Sequence, residues 1–83
     1  MSASDHMRPG DRVLVTGASG FVGSAVAGLL RARGYRVRTL VRASAARANL
    51  DPRDEIATGD ILDAKSLEAA LEGADHVVHA AAD

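Results

Sequence analysis

Three glycines spaced three residues apart form the pattern with the clearest chemical meaning in this chain. Gly17, Gly20 and Gly23 follow an apolar run in the stretch LVTGASGFVG. Glycine inside a regular element costs roughly 0.5–1 kcal/mol relative to alanine, so three of them indicate that another group comes close to this backbone. Phosphate groups bind in this way at the start of a helix, where unpaired N–H groups and the helix dipole attract anions. The alternative is an ordinary glycine-containing loop.

The surrounding elements bear on this choice, because the pattern is a stronger signal when it follows a strand and opens a helix. Residues 11–16 form a short β-branched run, and residues 21–33 repeat apolar positions at helical spacing before Gly34. The same criteria predict strands over residues 35–41, 55–58 and 75–81, and helices over residues 43–50 and 64–72, the last capped by Asp63. The residues expected to face inward are Val22, Ala25, Val26, Leu29 and Leu30 on the first helix and Leu67, Ala70 and Leu71 on the last.

The alternation β-α-β-α-β-α-β predicts an α/β fold, a Rossmann-like doubly wound parallel sheet with the strand order 3-2-1-4. In such a sheet the first strand-to-helix turn lies at the carboxyl edge, where ligands bind. On this interpretation Gly17 permits the tight turn, Gly20 leaves room for phosphate oxygens, and Gly23 lets the helix pack against the sheet. No Lys-Ser/Thr pair follows the glycines, so the turn is not a Walker loop.

The composition limits the size and the partners of the protein. Its 83 residues form at most one small domain, its only aromatic residues are Phe21 and Tyr35, and its net charge is −1. We therefore expect no nucleic-acid partner. The chain lacks cysteine, a signal peptide and a run long enough to span a membrane, so we expect a cytoplasmic protein without a membrane partner. Residues 1–7 (MSASDHM) are interpreted as a vector-derived tail and excluded from the fold.

The glycine turn also resembles the motif of a known family. Residues 16–23 (TGASGFVG) resemble the TGxxGxxG fingerprint of the short-chain dehydrogenases/reductases, and are most similar to the extended branch, the NAD-dependent epimerase/dehydratase group. The resemblance continues through residues 40–42 (LVR), 59–63 (GDILD) and 76–83 (HVVHAAAD). Within the branch, the segment VRASAARANL and the ending HAAAD are similar to hopanoid-associated sugar epimerases and dihydroflavonol-reductase-like proteins.

The resemblance implies binding roles for residues in two of these motifs. The glycine turn would hold the pyrophosphate of a dinucleotide, with the backbone N–H groups of Phe21 and Val22 and the hydroxyl of Ser19 as donors. Asp60 in GDILD matches the family aspartate that accepts a hydrogen bond from the adenine amino group, with the backbone of Ile61 beside it. The alternative for Asp60 is a turn aspartate that bonds its own backbone.

The identity of the cofactor follows from the end of the second predicted strand. Relatives that prefer NAD carry an acid there, whereas this chain has Val41 followed by Arg42. A guanidinium pairs with a 2′-phosphate, so NADP(H) is expected rather than NAD(H). Arg47 is a second candidate for the same phosphate, and solvated loop charges are the alternative for both arginines. The resemblance further implies that Ala80 and Ala81 let the inner ribose approach, unless they are simply small core residues.

Catalysis in the resembling family rests on a Tyr-x-x-x-Lys pair, which this chain lacks. Its one tyrosine and one lysine, Tyr35 and Lys65, stand on different predicted elements, and His79 is interpreted as a packed or hydrogen-bonded core residue. We therefore assign no catalytic residue and no metal ligand, and we expect the 83-residue chain alone to be inactive.

The function expected from these observations is dinucleotide binding. Residues 8–83 are interpreted as the N-terminal part of a dinucleotide-binding domain, from a reductase or a nucleotide-sugar epimerase/dehydratase. The alternative is a stand-alone nucleotide-binding or self-assembling module without turnover. Because residues 75–81 would form an unprotected edge strand, we also expect a homo-oligomer joined through that strand.

Overall fold

Four parallel strands and two helices make up the computed structural model, which describes residues 7–17, 20–44, 47–48 and 50–80. The elements are β1 (Arg12–Thr16), α1 (Phe21–Ala32), β2 (Arg36–Val41), β3 (Glu55–Thr58), α2 (Ala64–Leu71) and β4 (His76–His79). Within the described residues the strands form one sheet in the order β3-β2-β1-β4, and every pair is parallel. The predicted α/β fold and strand order are therefore confirmed.

The crossover between β2 and β3 differs from the prediction. The helix expected over residues 43–50 is wrong, because the described residues of this segment form turns and irregular backbone. An isolated helix this short is not stable in water, and Leu50 is the one large apolar side chain that it could bury. Leu50 packs instead against the buried cluster beneath α1, and Arg31 of α1 donates a hydrogen bond to Asp54 at 2.8 Å. Side-chain contacts thus hold the crossover against α1.

The hydrophobic core lies on both faces of the sheet. Val13, Leu14 and Val15 of β1 are completely buried. Because side chains alternate along a strand, Val13 and Val15 pack with Ala27 of α1 on one face, whereas Leu14 packs with Ala70 of α2 on the other. The two helices therefore cover opposite faces, as a doubly wound sheet requires.

The helices turn small residues toward the sheet. Gly23 and Ala27 are the buried residues of α1, and Ala70 is the buried residue of α2. The distance between packed elements depends on the side chains at the contact, so small residues let α1 lie close to the sheet. Four residues that the sequence predicted to face inward are instead exposed, namely Val22, Ala25, Leu29 and Leu71. Met7, which the sequence analysis excluded from the fold, packs against the core beneath α1.

Both ends of α2 are satisfied by side chains. The Asp63 carboxylate accepts a hydrogen bond from the backbone N–H of Lys65 at 3.2 Å, which confirms the predicted N-cap. At the other end, Arg38 of β2 donates to the carbonyl of Ala70 at 2.8 Å, and Arg12 of β1 donates to a carbonyl of the following turn at 3.1 Å. Carbonyls at the end of a helix lack partners within the helix, so these arginines anchor α2 to the amino edge of the sheet.

Two aspartates make the stability of this fold dependent on acid pH. A hydrogen bond from His76 lowers the pKa of Asp11, and hydrogen bonds from Arg53 lower the pKa of Asp51. A carboxyl group whose pKa is lowered by folding contributes stability above its unfolded pKa, and this is lost as the pH falls through the folded value. We therefore expect the Tm to fall progressively below about pH 4.

Differential scanning calorimetry across the acid range tests this expectation. The variant Asp51→Asn cannot lose a proton at this position, so its Tm should depend less steeply on pH than that of the parent chain. A parent Tm that rises on acidification would contradict the assignment of these two aspartates.

Candidate cofactor-binding site

The segments that follow the four strands meet along one edge of the sheet. The backbone N–H of Gly59 donates to the carbonyl of Val41 at 2.9 Å, which joins the segment after β3 to the end of β2. The N–H of Ala80 donates to the carbonyl of Thr16 at 3.0 Å, which joins the segment after β4 to the end of β1. Ligands of doubly wound sheets bind outside the carboxyl ends of the strands, so this edge is the candidate site.

The glycine turn lies between β1 and α1 at this edge. Gly17 has φ +76°, in the left-handed region that favours glycine, and its carbonyl accepts a hydrogen bond from the N–H of Gly20 at 3.1 Å. Gly23 is buried against the sheet. The turn and the close packing predicted for these two glycines are therefore present, whereas Ser19 lies outside the described residues.

Gly20 has a different environment, because nothing among the described residues requires a glycine there. Its φ of −82° and ψ of 171° are extended backbone that any residue adopts. A Cβ atom at this position would lie 3.4 Å from the carbonyl oxygen of Gly17, which is an ordinary contact. The lack of a side chain at Gly20 thus leaves space in front of the turn without being needed to form it.

The start of α1 presents backbone donors to this space. Phe21 and Val22 are its first two residues, where N–H groups have no carbonyl partner within a helix. No side chain of the described residues caps this end, and its first turn contains no acidic residue. The side chain of Phe21 is 88% exposed. The positive end of the helix dipole is therefore available to an anion at the position that the glycine pattern indicated.

Two predicted binding residues, Arg42 and Asp60, line a cleft beside β2 and β3, and Arg47 contacts a third residue of its lining. Nε of Arg42 lies 3.8 Å from Oδ2 of Asp60, and both side chains are largely exposed, so this ion pair is weak. Arg47 donates to the hydroxyl of Thr58 at 3.4 Å. The cleft has a volume of about 380 Å³, and Arg42, Thr58, Asp60 and Ser66 line it. Sequence spacing alone could not predict that Arg42 and Asp60 would line the same cleft.

Asp60 forms the turn that the sequence analysis considered as its alternative role. Its Oδ1 atom accepts a hydrogen bond from the backbone N–H of Leu62 at 2.9 Å. A carboxylate has about four acceptor positions, so this contact leaves others available to a ligand. Ile61 follows in the same turn and is exposed. Sequence analysis missed Ser66, whose hydroxyl bonds to this turn; its place three residues after the N-cap Asp63 was the available signal.

The remaining predicted residues have mostly structural contacts. His79 is hydrogen-bonded through Nδ1 to the hydroxyl of Thr16, as predicted, but its residue is exposed at the end of β4, so the prediction that it lies in the core is wrong. Ala80 is half-buried and packs against the core, while Ala81 lies outside the described residues. Tyr35 also packs against this core, and Lys65 is exposed at the start of α2.

The described residues contain neither a cluster of metal-ligating side chains nor a membrane-spanning helix. Over residues 7–17, 20–44, 47–48 and 50–80, no three metal-ligating side chains come together. Neither α1 nor α2 is long and apolar enough to cross a membrane. The cytoplasmic location stays a prediction.

Comparisons with known proteins agree with this geometry. Residues 13–83 match the NAD dependent epimerase/dehydratase family. Sanguinarine reductase of Eschscholzia californica is 46% identical over 68 residues, which cover 80% of this chain and 25% of that protein. The chain spans about a fifth to a quarter of the length of the curated relatives it matches.

Solved structures give the same result. The crystal structure of gox2253 superposes with a TM-score of 0.82 at 50% identity, and the match covers 88% of this chain and 22% of that one. UDP-glucose 4-epimerase of Thermus thermophilus, in complex with NAD, superposes with a TM-score of 0.75 at 37% identity, covering 87% of this chain and 24% of that one. Both structures therefore share the fold of this chain over most of its length, with 37–50% of the aligned residues identical.

Proposed function

The chain belongs to the NAD dependent epimerase/dehydratase family, and on that premise we propose that it binds NADP(H) in preference to NAD(H) at the carboxyl edge of its sheet. The observation that carries the preference is the position of Arg42 directly after β2, beside the cleft and without an acid at the strand end. In a longer protein, this site would serve a reductase or a nucleotide-sugar epimerase/dehydratase. When bound, the dinucleotide supplies hydride-transfer chemistry.

The glycine turn supports binding of the pyrophosphate. The N–H groups of Phe21 and Val22 stand at the positive end of α1, and Gly20 has no side chain in front of them. Charge-assisted hydrogen bonds from backbone N–H groups to phosphate oxygens are stronger than neutral ones, so these two donors would contribute substantially to holding this group. Gly17 and Gly23 hold the turn and the helix in place, and Ser19 is retained as a proposed additional donor.

The cleft beside β2 and β3 supports binding of the adenosine end. Arg42 is 65% exposed and its ion pair with Asp60 is long, so its guanidinium is free to turn toward a 2′-phosphate at little cost. Asp60 would accept a hydrogen bond from the adenine amino group, with Ile61 against the base. Ala80 and Ala81 would leave room for the inner ribose. These roles extend the family resemblance to residues that converge on one edge of the sheet.

The preference for NADP(H) predicts the effect of removing Arg42. In isothermal titration calorimetry, Arg42→Ala should reduce the difference in binding free energy between NADP(H) and NAD(H) by about 1–3 kcal/mol, because a charge-assisted hydrogen bond is lost. Arg36→Ala is the matched control, since Arg36 is an exposed arginine at the opposite end of β2. Equal affinities for the two cofactors, before and after the substitution, would show the assignment to be wrong.

The open edge of β4 favours self-association as a second property. β4 pairs with β1 along one edge, and no other described strand adjoins it. An unpaired strand edge is a template for another chain, and Val77 on this strand is half exposed. We propose a homo-oligomer joined through β4.

Sedimentation equilibrium at micromolar concentration tests this proposal. The parent chain should sediment as a dimer or higher oligomer, and Val77→Lys should shift it toward monomer, because lysine on an edge strand opposes pairing. A folded parent chain that is monomeric throughout the concentration range would exclude association through β4.

A further inference from the structure

The hydroxyl of Ser66 joins α2 to the turn that carries Asp60. Its Oγ atom accepts a hydrogen bond from the backbone N–H of Asp60 at 3.0 Å. The same atom lies 3.0 Å from the carbonyl oxygen of Asp60 and 3.1 Å from that of Asp63. A serine hydroxyl has one proton and two lone pairs, so it can accept from the N–H while it donates to one of the two carbonyls. One side chain therefore holds the N–H of Asp60 and one of the two carbonyls of this turn.

The packing around Ser66 is unusually close. A Cβ atom added to Gly59 would lie 2.7 Å from Cβ of Ser66 and 3.3 Å from Cδ1 of Leu40. Only glycine fits at this distance, so the segment before Asp60 is held directly between α2 and the core. The Ser66 contacts are thus part of a rigid junction at the rim of the cleft.

The fixed backbone in turn orients the carboxylate of Asp60. Oδ1 is held by the N–H of Leu62, and Oδ2 lies on the side of Arg42, which lines the cleft. The carbonyl of Asp60 also accepts a hydrogen bond from the N–H of Asp63 at 2.9 Å, so loss of the Ser66 bonds would release the N–H side of Asp60 and loosen the direction of this second oxygen. We infer that Ser66 is a positioning residue that aims the Asp60 carboxylate at the base of the bound nucleotide and so enforces selection of adenine. This inference rests on the proposed function.

Base selectivity is a readout that a merely structural role of Ser66 would not change. Adenine presents an amino group that donates to a carboxylate, whereas hypoxanthine presents a carbonyl oxygen at the same place, which leaves the carboxylate unpaired. A site built to hydrogen-bond one group discriminates against an analogue that lacks it. We therefore expect NADP⁺ to bind the parent chain about tenfold more tightly than nicotinamide hypoxanthine dinucleotide phosphate.

Calorimetry with these two dinucleotides tests the inference on Ser66→Ala and Ser66→Cys. Ser66→Ala removes the hydroxyl without adding volume, whereas the larger thiol of Ser66→Cys keeps the site filled but bonds only weakly, so an effect shared by both variants comes from the lost hydrogen bonds. The selectivity ratio is the affinity for NADP⁺ divided by the affinity for nicotinamide hypoxanthine dinucleotide phosphate. Both variants should reduce this ratio at least about threefold. Ala69→Gly is the matched control, because it weakens α2 at an exposed position without contacting the turn and should keep the parent ratio.

Hydrogen exchange measured by NMR gives a second readout that needs no nucleotide. The amides of Asp60 and Leu62 should lose protection in Ser66→Cys and keep it in Ala69→Gly. Unchanged protection and an unchanged selectivity ratio in Ser66→Cys would overturn the inference. In that case, loss of selectivity in Asp60→Asn would show that Asp60 selects adenine without the help of Ser66. If the parent chain itself fails to discriminate between the bases, the proposed role of Asp60 fails, and the inference fails with it.

Discussion

Replacing Gly20 by valine is expected to weaken the binding of NADP(H) and NAD(H) together, by about 2–3 kcal/mol each, through the loss of hydrogen bonds to the pyrophosphate. The two cofactors share this group, so the difference between their affinities should stay the same. This separates Gly20 from Arg42, whose removal should change the affinity for one cofactor. Titration calorimetry on both cofactors measures the two effects in one experiment.

The backbone at Gly20 makes this test unusually clean. Its dihedral angles are accessible to valine, and an added Cβ would make only an ordinary contact with Gly17. The free energy of unfolding should therefore fall by about 0.5–2 kcal/mol, the usual range for changes at a helix N-cap. Ala32→Val, which adds a branched side chain at the opposite end of α1, is the control for helix stability. Unchanged affinity of folded Gly20→Val for both cofactors would exclude the pyrophosphate from this turn.

The general fold could be predicted because local sequence patterns decide it. The limits of β3, residues 55–58, agree with the prediction, and Gly34 and Gly73 end the helices with positive φ. Strands that alternate with helical connections permit few topologies, so the strand order followed from the fold class. The helix predicted over residues 43–50, in the crossover after β2, was wrong because that prediction relied on local sequence alone. Alanine favours a helix locally, but a short segment adopts the backbone that its tertiary contacts stabilise.

The orientation of α1 could not be predicted from its apolar pattern. Large apolar residues mark a stripe, yet the buried residues of α1 are Gly23 and Ala27. A pattern that counts hydrophobicity ranks Leu29 above Ala27, whereas the closest packing favours the smaller side chain. The glycine pattern indicated correctly that α1 packs against the sheet at Gly23, which the spacing of the large apolar residues did not indicate.

The candidate site was predictable where motifs are local and unpredictable where contacts are distant. The turn at Gly17 is contained within a few residues, and its conformation follows from them. The contact of Arg12 with the end of α2 joins residues 61 positions apart, and no local pattern indicates it. Ser66 is intermediate, because the helix places it near Asp63 but only the tertiary fold brings it against Gly59.

Removing Arg31 is expected to produce the largest loss of stability among the charged residues discussed. Its Nε donates to Oδ1 of Asp54 at 2.8 Å and a second guanidinium nitrogen donates to Oδ2, which is a bidentate pair. The Asp54 side chain is only 4% exposed, and the hydrogen bond to Asp54 raises the pKa of Arg31. The pair holds the crossover before β3 against α1, where the predicted helix is absent.

Arg31→Ala would leave the Asp54 carboxylate buried without this partner. Breaking a buried pair costs about 3–5 kcal/mol, and because Arg31 is partly exposed we expect about 2–3 kcal/mol, measured by urea denaturation. Arg53→Ala is the control, since that arginine is mostly exposed and its pair with Asp51 should contribute less than about 1 kcal/mol. Adding Asp54→Ala to Arg31→Ala should restore part of the loss, because the uncompensated charge is removed. If Arg31→Ala costs no more than Arg53→Ala, the crossover is held by the packing of Leu50 rather than by the ion pair.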